Sequence, residues 1–249
     1  MKPLIIIPTY NEKDNIIKLI PAIQEVLDNS SYQFSILVVD DASNDGTNLI
    51  VKDFIKTMNN VFLLERKGKL GLASAYIDGF RYGIEKGFDS FIEMDADFSH
   101  DPKYLPKMLE LLETNDVVIG SRNIKGGGVL GWGMLRNVIS KGGSLYSRII
   151  LNCPIKDLTG GFNGWKLEIL NKIGLANIIS SGYAFQIEMK YRAFKNDAII
   201  KEFPIVFKDR TVGSSKMSRK IFMEALFNVI KIKFIVQKSK INYSQVFNS

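Results

Sequence analysis

At 249 residues the chain is long enough for one large domain with its own core, and a composition of 46% hydrophobic and 24% charged residues excludes a disordered or fibrous protein. The single cysteine, Cys153, excludes an internal disulfide framework and fits a reducing compartment. The net charge of +7 is confined to the C-terminal segment, where nine Lys or Arg face two acids from Phe207 onward while the rest of the chain balances.

In chain order, short apolar runs alternate with longer helical patterns. Leu4–Ile7 reads as a strand, and the apolar run ends at Pro8, too soon for a signal peptide. Asn15–Leu27 has helical spacing through Ile16, Leu19, Ile20, Ile23 and Leu27. Ser35–Val39 is the second strand, Thr47–Met58 a helix and Val61–Leu64 the third strand. Leu70–Lys86 is helical, Ser90–Met94 the fourth strand, Pro102–Leu112 a helix and Val117–Ile119 the fifth strand. This alternation predicts a mostly parallel sheet covered on both faces, and the unbroken apolar strands are those of a sheet buried on both sides.

After Ser121 the rhythm changes. Gly126-Gly127-Gly128 opens a glycine-rich loop, and Asn137–Leu151 reads as an amphipathic helix with a bend at Gly142-Gly143. A helix near Tyr183–Phe194, a strand near Ala198–Phe203 and a basic helix from Met217 onward complete the pattern. There is no repeat and no linker, so a single domain over 1–249 is expected, with a change of rhythm after 122 and a basic helix or tail over 217–249. The most apolar window, Ile221–Val236, is interrupted by Glu224, Asn228, Lys231 and Lys233, whereas a span needs roughly 20 mostly apolar residues. No transmembrane segment is predicted, and membrane contact would be peripheral or through a partner.

In an open parallel sheet, ligands bind beyond the C-terminal strand ends. Four polar sets fall there: Pro8–Glu12, Asp40-Asp41, Asp95-Ala96-Asp97 and Arg122. Two acids at such close spacing repel unless a cation lies between them, and Mg2+ accepts one or two carboxylates plus substrate phosphates. Asp41 suits a base or ribose, and Asp40 a structural role. Gly126-x-Gly128-x-x-Gly131 is discounted as a dinucleotide fingerprint, because it lies outside the first strand–helix turn and no acid follows at the expected distance. His100, the only histidine, lacks partners for a triad or a zinc site and is assigned to packing or the loop.

Pro8-Thr9-Tyr10-Asn11-Glu12, Val39-Asp40-Asp41, Asp45-Gly46-Thr47, Met94-Asp95-Ala96-Asp97, Gly120-Ser121-Arg122, Thr159-Gly160-Gly161-Phe162 and Asp209-Arg210-x-x-Gly213-x-Ser215-Lys216-Met217 resemble the family 2 inverting glycosyltransferases. Within them the chain is most similar to the dolichol/polyprenol phosphate mannose synthases, over nearly its whole length. The resemblance implies an α/β fold: a Rossmann-like glycosyltransferase A-type domain with a mostly parallel central sheet and a C-terminal helical elaboration, in which 1–122 is the nucleotide-sugar-binding half and 123–216 the acceptor and phosphate-binding half. It implies that Pro8, Tyr10, Glu12, Val39 and Asp41 hold a guanine nucleoside. Asp95, Ala96 and Asp97 would hold the diphosphate and Mg2+ or Mn2+, with Asp97 as direct ligand and Ser99 where several relatives carry a metal-binding Gln. Arg210 and Lys216 would clamp the donor phosphates. Arg122 and Arg136 would bind the acceptor phosphate, with Ser140 one helical turn after Arg136.

The expected reaction is mannose transfer from GDP-mannose to a polyprenyl phosphate, with Asp97, Arg122 and Arg136 as its catalytic residues. The expected setting is the cytoplasmic face of a membrane, with room for a membrane-embedded partner subunit. An enzyme that glycosylates a sugar hydroxyl needs a positioned base, and the acidic pair and Q-x-x-R-W motif of such relatives do not occur here. A UDP-sugar donor for the same lipid acceptor, glucosyl or amino sugar, is the nearer alternative. A non-enzymatic sugar-nucleotide binder would not require a second phosphate site. Nucleic acid is excluded as a partner, because the basic region carries no recognised reading motif.

Overall fold

The computed structural model describes residues 1–28, 30–131, 133–209 and 227–236. The strands are β1 (Pro3–Thr9), β2 (Ser35–Asp40), β3 (Val61–Glu65), β4 (Ser90–Glu93), β5 (Val117–Ser121), β6 (Gly128–Leu130), β7 (Asn163–Lys166), β8 (Ile200–Pro204) and β9 (Val206–Lys208). The helices are α1 (Lys13–Asp28), α2 (Thr47–Thr57), α3 (Leu72–Glu85), α4 (Leu105–Thr114), α5 (Met134–Leu151), α6 (Leu167–Ile173) and α7 (Gly182–Lys195). Residues 227–236 are also helical.

Seven strands form one sheet in the order β3-β2-β1-β4-β7-β5-β8, and β6 pairs with β9 in a separate ribbon. Within the large sheet β7 alone runs antiparallel, against β4 and β5. The sheet therefore crosses the boundary between the two halves expected from the sequence, because β7 and β8 come from the second.

Side-chain alternation along β1 and β2 divides the core into two layers. Leu4, Ile6, Leu37 and Val39 face one layer with Tyr76, Phe80, Trp165 and Phe185. Ile5, Ile7, Ile36 and Val38 face the other, with Ile16, Leu19, Ile20 and Ile23 of α1 and Leu105 and Leu109 of α4. On the first face α3 lies close to the sheet because Gly79 and Gly83, one turn apart, carry no side chain. A Cβ would come within 2.5 Å of Ile6 at 79 and of Phe91 at 83.

The first five strands match the sequence reading closely. Beyond Ser121 the structure adds β6, β7, β9 and α6 to it. Helix α5 spans Met134–Leu151 and includes Gly142-Gly143. Its second half is held to the body by buried Ser144, Ser147 and Leu151. The Ser144 and Thr159 hydroxyls are hydrogen-bonded at 3.1 Å.

Candidate active site

The four polar sets do meet at one edge of the sheet, because β1, β2, β4 and β5 run in the same direction. Three non-glycine residues there have left-handed backbone: Asn11 (φ 59°), Ala42 (φ 57°) and Phe98 (φ 60°). Such positions cost roughly 1–3 kcal/mol each and cluster at functional sites.

The loop after β1 is pinned by its neighbours. The Asn11 amide donates to Ser43 Oγ (2.8 Å), the Glu12 amide to Thr47 Oγ1 (3.0 Å) and the Lys13 amide to Asp45 (3.0 Å). Asp45 also accepts from the Thr47 amide and hydroxyl. The Asp45-Gly46-Thr47 motif thus braces the loop that presents Tyr10 and Glu12. Tyr10 is 39% exposed, and the Lys69 ammonium lies 3.6 Å from its ring centroid. Pro8 is half-buried and Val39 fully buried.

The two acids after Val39 divide their work. Asp40 is buried and accepts from Thr9 Oγ1 (2.9 Å) and from the Ser43 amide (2.9 Å) and hydroxyl (2.6 Å). Asp41 receives the Arg66 guanidinium and, at 2.9 Å, the Gly71 amide. Arg66 was not singled out in the sequence. It follows β3, and the pairing of Asp40 with Glu65 places it beside Asp41.

The acidic pair leaves β4 above a buried polar layer. Asp95 Oδ1 accepts from the Tyr76 hydroxyl at 3.2 Å, and Asp97 Oδ1 from the Ser99 amide at 3.0 Å. Capping of the following turn falls to Asp101, which accepts from the Lys103 amide, so neither member of the pair serves as that cap. Ser99 Oγ is buried without a hydrogen-bond partner. Beneath the pair, Glu93 accepts from Asn163, Trp165 and Gln186. Burial pushes its carboxyl well up despite these donors.

On the other side of β7, Arg122 is buried. Its Nε and Nη2 donate to the two oxygens of Asp157 at 2.8 and 2.7 Å, and Nη2 reaches Thr159 Oγ1 at 3.0 Å. Burial alone would raise the Asp157 carboxyl, but the Arg122 guanidinium, with Lys190 nearby, holds it at about 2. Lys190 is fully buried and donates to the carbonyls of Asp157 (3.0 Å) and Gly160 (2.6 Å). Neither Asp157 nor Lys190 was identified from sequence. Gly127 lets the glycine-rich loop cross this site, since a Cβ there would collide with the Ser121 carbonyl oxygen.

Ser140 is half-buried on α5. Arg136 falls in the first turn of the same helix, and its side chain lies outside the described residues, as do Trp132, Arg210 and Lys216. The structure thus brings Asp95, Asp97 and Ser99 together and places Arg122 just past the end of β5, which is separated from β4 by β7.

Residues 4–174 match the family model described as Glycosyl transferase family 2. The chain is 42% identical to an undecaprenyl-phosphate mannosyltransferase from Micrococcus luteus, over 93% of each chain. It is 40% identical to a polyprenol monophosphomannose synthase from Mycolicibacterium smegmatis, over 92% of this chain and 85% of that one. Among solved structures it shares its fold with glucosyl-3-phosphoglycerate synthase from Mycobacterium tuberculosis bound to Mn2+, UDP and product (TM-score 0.66, 16% identity, 93% and 79% coverage). It shares it also with a mannosyltransferase from Pyrobaculum calidifontis bound to GDP-Man and Mn2+ (TM-score 0.60, 16% identity, 98% and 75% coverage). With a matching family model over more than half its length and relatives of this identity along nearly all of it, the chain belongs to glycosyl transferase family 2.

Proposed function

We propose that the chain transfers mannose from GDP-mannose to a polyprenyl phosphate, with inversion at the anomeric carbon and with Mg2+ or Mn2+. The strongest support is the kinship, over 93% of both chains, with an enzyme named for mannosylating undecaprenyl phosphate. Pro8, Tyr10, Glu12, Val39 and Asp41 would hold the guanosine, and Asp95, Ala96 and Asp97 the diphosphate. Arg210 and Lys216 would clamp it, and Arg122, Arg136 and Ser140 would receive the acceptor phosphate.

The residues fit a hard divalent cation: two carboxylates at the end of a buried strand and the orphaned Ser99 hydroxyl beside them. Among the described residues no group of three His, Cys, Asp or Glu could hold an ion alone, which suits a cation that completes its shell with diphosphate oxygens. When bound, such an ion neutralises the diphosphate as a leaving group. The acceptor needs no base from the protein. A phosphate monoester has its second pKa near ~6, so at neutral pH it is largely a dianion. One of its oxygens forms the new bond to the anomeric carbon as the bond to the donor's diphosphate oxygen breaks, and GDP departs without a proton transfer. Incubation with a panel of nucleotide sugars and a polyprenyl phosphate, followed by identification of the lipid product, tests the donor. GDP-mannose should be preferred, and turnover of UDP-glucose well above it would overturn that choice.

The acceptor's phosphate lies at a bilayer surface, and no helix among the described residues is long and apolar enough to cross a membrane. We infer peripheral docking through the 126–151 region, whose sequence carries Trp132, a residue type favoured at the headgroup level, assisted by the basic tail. Leu130, Leu145 and Ile149 are 57%, 53% and 69% exposed. Tyr146 and Ile150 pack on the core, and Leu151 is buried in it. The helical segment 227–236 repeats this division: Val229, Ile232 and Val236 face the core, while Phe227, Ile230 and Phe234 are exposed. An amphipathic face with nearby lysines suits an anionic interface, at about 1 kcal/mol per cation close to the surface. Co-sedimentation with vesicles should rise with anionic lipid, fall with salt, and weaken in Trp132→Ala and in Leu145→Ser/Ile149→Ser variants. A protein that ignores anionic vesicles at low salt would instead need a membrane-embedded partner.

A further inference from the structure

His100 is buried, with 2% of its surface exposed. Its Nδ1 accepts the backbone N–H of Asp95 at 3.0 Å, which requires the neutral imidazole with its proton on Nε2. Burial favours that neutral form, against the pull of Asp95 and Asp97. The ring lies between Phe162 (centroids 5.0 Å apart) and Phe207 (5.6 Å).

The position of this bond in the sheet gives it meaning. On one side of β4 the last ladder bond is Met94 N–H to the Ile6 carbonyl, at 3.1 Å. On the other side, pairing with β7 ends at Glu93–Asn163. Asp95 is therefore the first residue whose N–H has no strand to bond, and a buried N–H left unpaired is costly. The imidazole replaces the missing strand. It fixes the peptide from which the Asp95 side chain departs, two residues before Asp97, while the Tyr76 hydroxyl holds the Asp95 carboxylate.

We propose that His100 is a positioning residue for the acidic pair: by accepting the Asp95 N–H it sets the direction in which Asp95 and Asp97 leave β4, and so the strength with which they bind a divalent cation and diphosphate. This rests on the reading that Asp95 and Asp97 are the metal site.

The competing role is packing alone, a flat ring between Phe162 and Phe207. Two substitutions in the full chain separate them. His100→Phe keeps a ring and loses the acceptor. His100→Asn loses the ring but keeps an oxygen the same number of bonds from Cα as Nδ1. Mn2+ binding in the presence of GDP is measured by the electron paramagnetic resonance of free Mn2+, with thermal unfolding alongside. His100→Phe should bind roughly tenfold to a hundredfold more weakly, the range for an amide left without its acceptor, and should also unfold at a lower temperature, because the folded chain bears the unpaired amide with or without the ion. His100→Asn should bind within about threefold of the parent, because one neutral hydrogen bond replaces another, while unfolding at a lower temperature. The reverse order of binding, or equal weakening in both, overturns the proposal. Asp97→Asn is the control on the underlying reading and should lose the bound Mn2+. If it binds Mn2+ with GDP as the parent does, the metal site lies elsewhere, and the role of His100 falls with it.

Discussion

Asp97→Ala should fold and yet lose transfer by at least about a thousandfold, the scale expected when charge stabilisation of a departing diphosphate is removed. The structure explains why the fold should survive. The Asp97 side chain closes a short local turn, Oδ1 accepting the Ser99 amide at 3.0 Å. Losing one such bond at a partly exposed site costs on the order of 1 kcal/mol. Asp97→Asn sharpens the test, because the amide oxygen can keep the turn while the charge is gone, and it too should be inactive. Ser99→Ala should retain activity within about tenfold, since its hydroxyl is buried without a partner and a neutral oxygen is a weak ligand for a hard cation. Quantifying mannosylated lipid across a Mg2+ and a Mn2+ titration, with circular dichroism on each variant, decides the matter. Metal-dependent turnover in a folded Asp97→Ala protein would remove the assignment.

The proposed donor side is readable in the sequence because its strands obey a local rule. Strands buried on both faces are near-continuous apolar runs, so Leu4–Ile7, Ser35–Val39 and, despite Glu93, Ser90–Met94 are legible, and the polar residues that end them can be named. The same rule applied to Val61–Leu64 points to Glu65-Arg66. Arg66 was passed over because a lone arginine ordinarily reads as solvated, and the register of β2 against β3 is what puts it beside Asp41.

The proposed acceptor side is hidden for a different reason. β7 is Asn163-Gly164-Trp165-Lys166, with no apolar run, and its Asn163 is buried through bonds to Glu93 and Gln186 that are 70 and 23 residues away. Lys190 gives no local sign that it is fully buried, since the carbonyls that receive it lie about thirty residues earlier. The role of His100 is hidden in the same way. Its partner, a backbone amide at the end of a strand, has no side-chain signature.

Arg122→Ala should abolish acceptor use while leaving donor binding nearly intact. The expected loss in kcat/KM for polyprenyl phosphate is about a hundredfold or more, the scale of a charge-assisted phosphate contact made in a buried site. GDP-mannose affinity by calorimetry should stay within about twofold, since donor contacts proposed for the other strand ends are untouched. Arg136→Ala should follow the same pattern, and Arg210→Ala should instead weaken donor binding itself. Arg122 has a second consequence that the other two are not expected to share. Its side chain is 8% exposed and that of Asp157 is 0%, so removing the guanidinium leaves a buried carboxylate without its bidentate partner, at a cost of about 3–5 kcal/mol. The pH dependence carries the same signature. Asp157 is held at about 2 in the folded chain, against about 3.9 when unfolded. The stabilisation it contributes is complete above the unfolded value and is lost as pH falls through about 4 towards 2. Denaturant unfolding between pH 2 and 5 should show that decline in the parent and a smaller one in Arg122→Ala. Donor binding by the variant reports that enough fold remains for the comparison to hold. Equal loss of donor binding in the Arg122, Arg136 and Arg210 variants would refute the division into two phosphate sites.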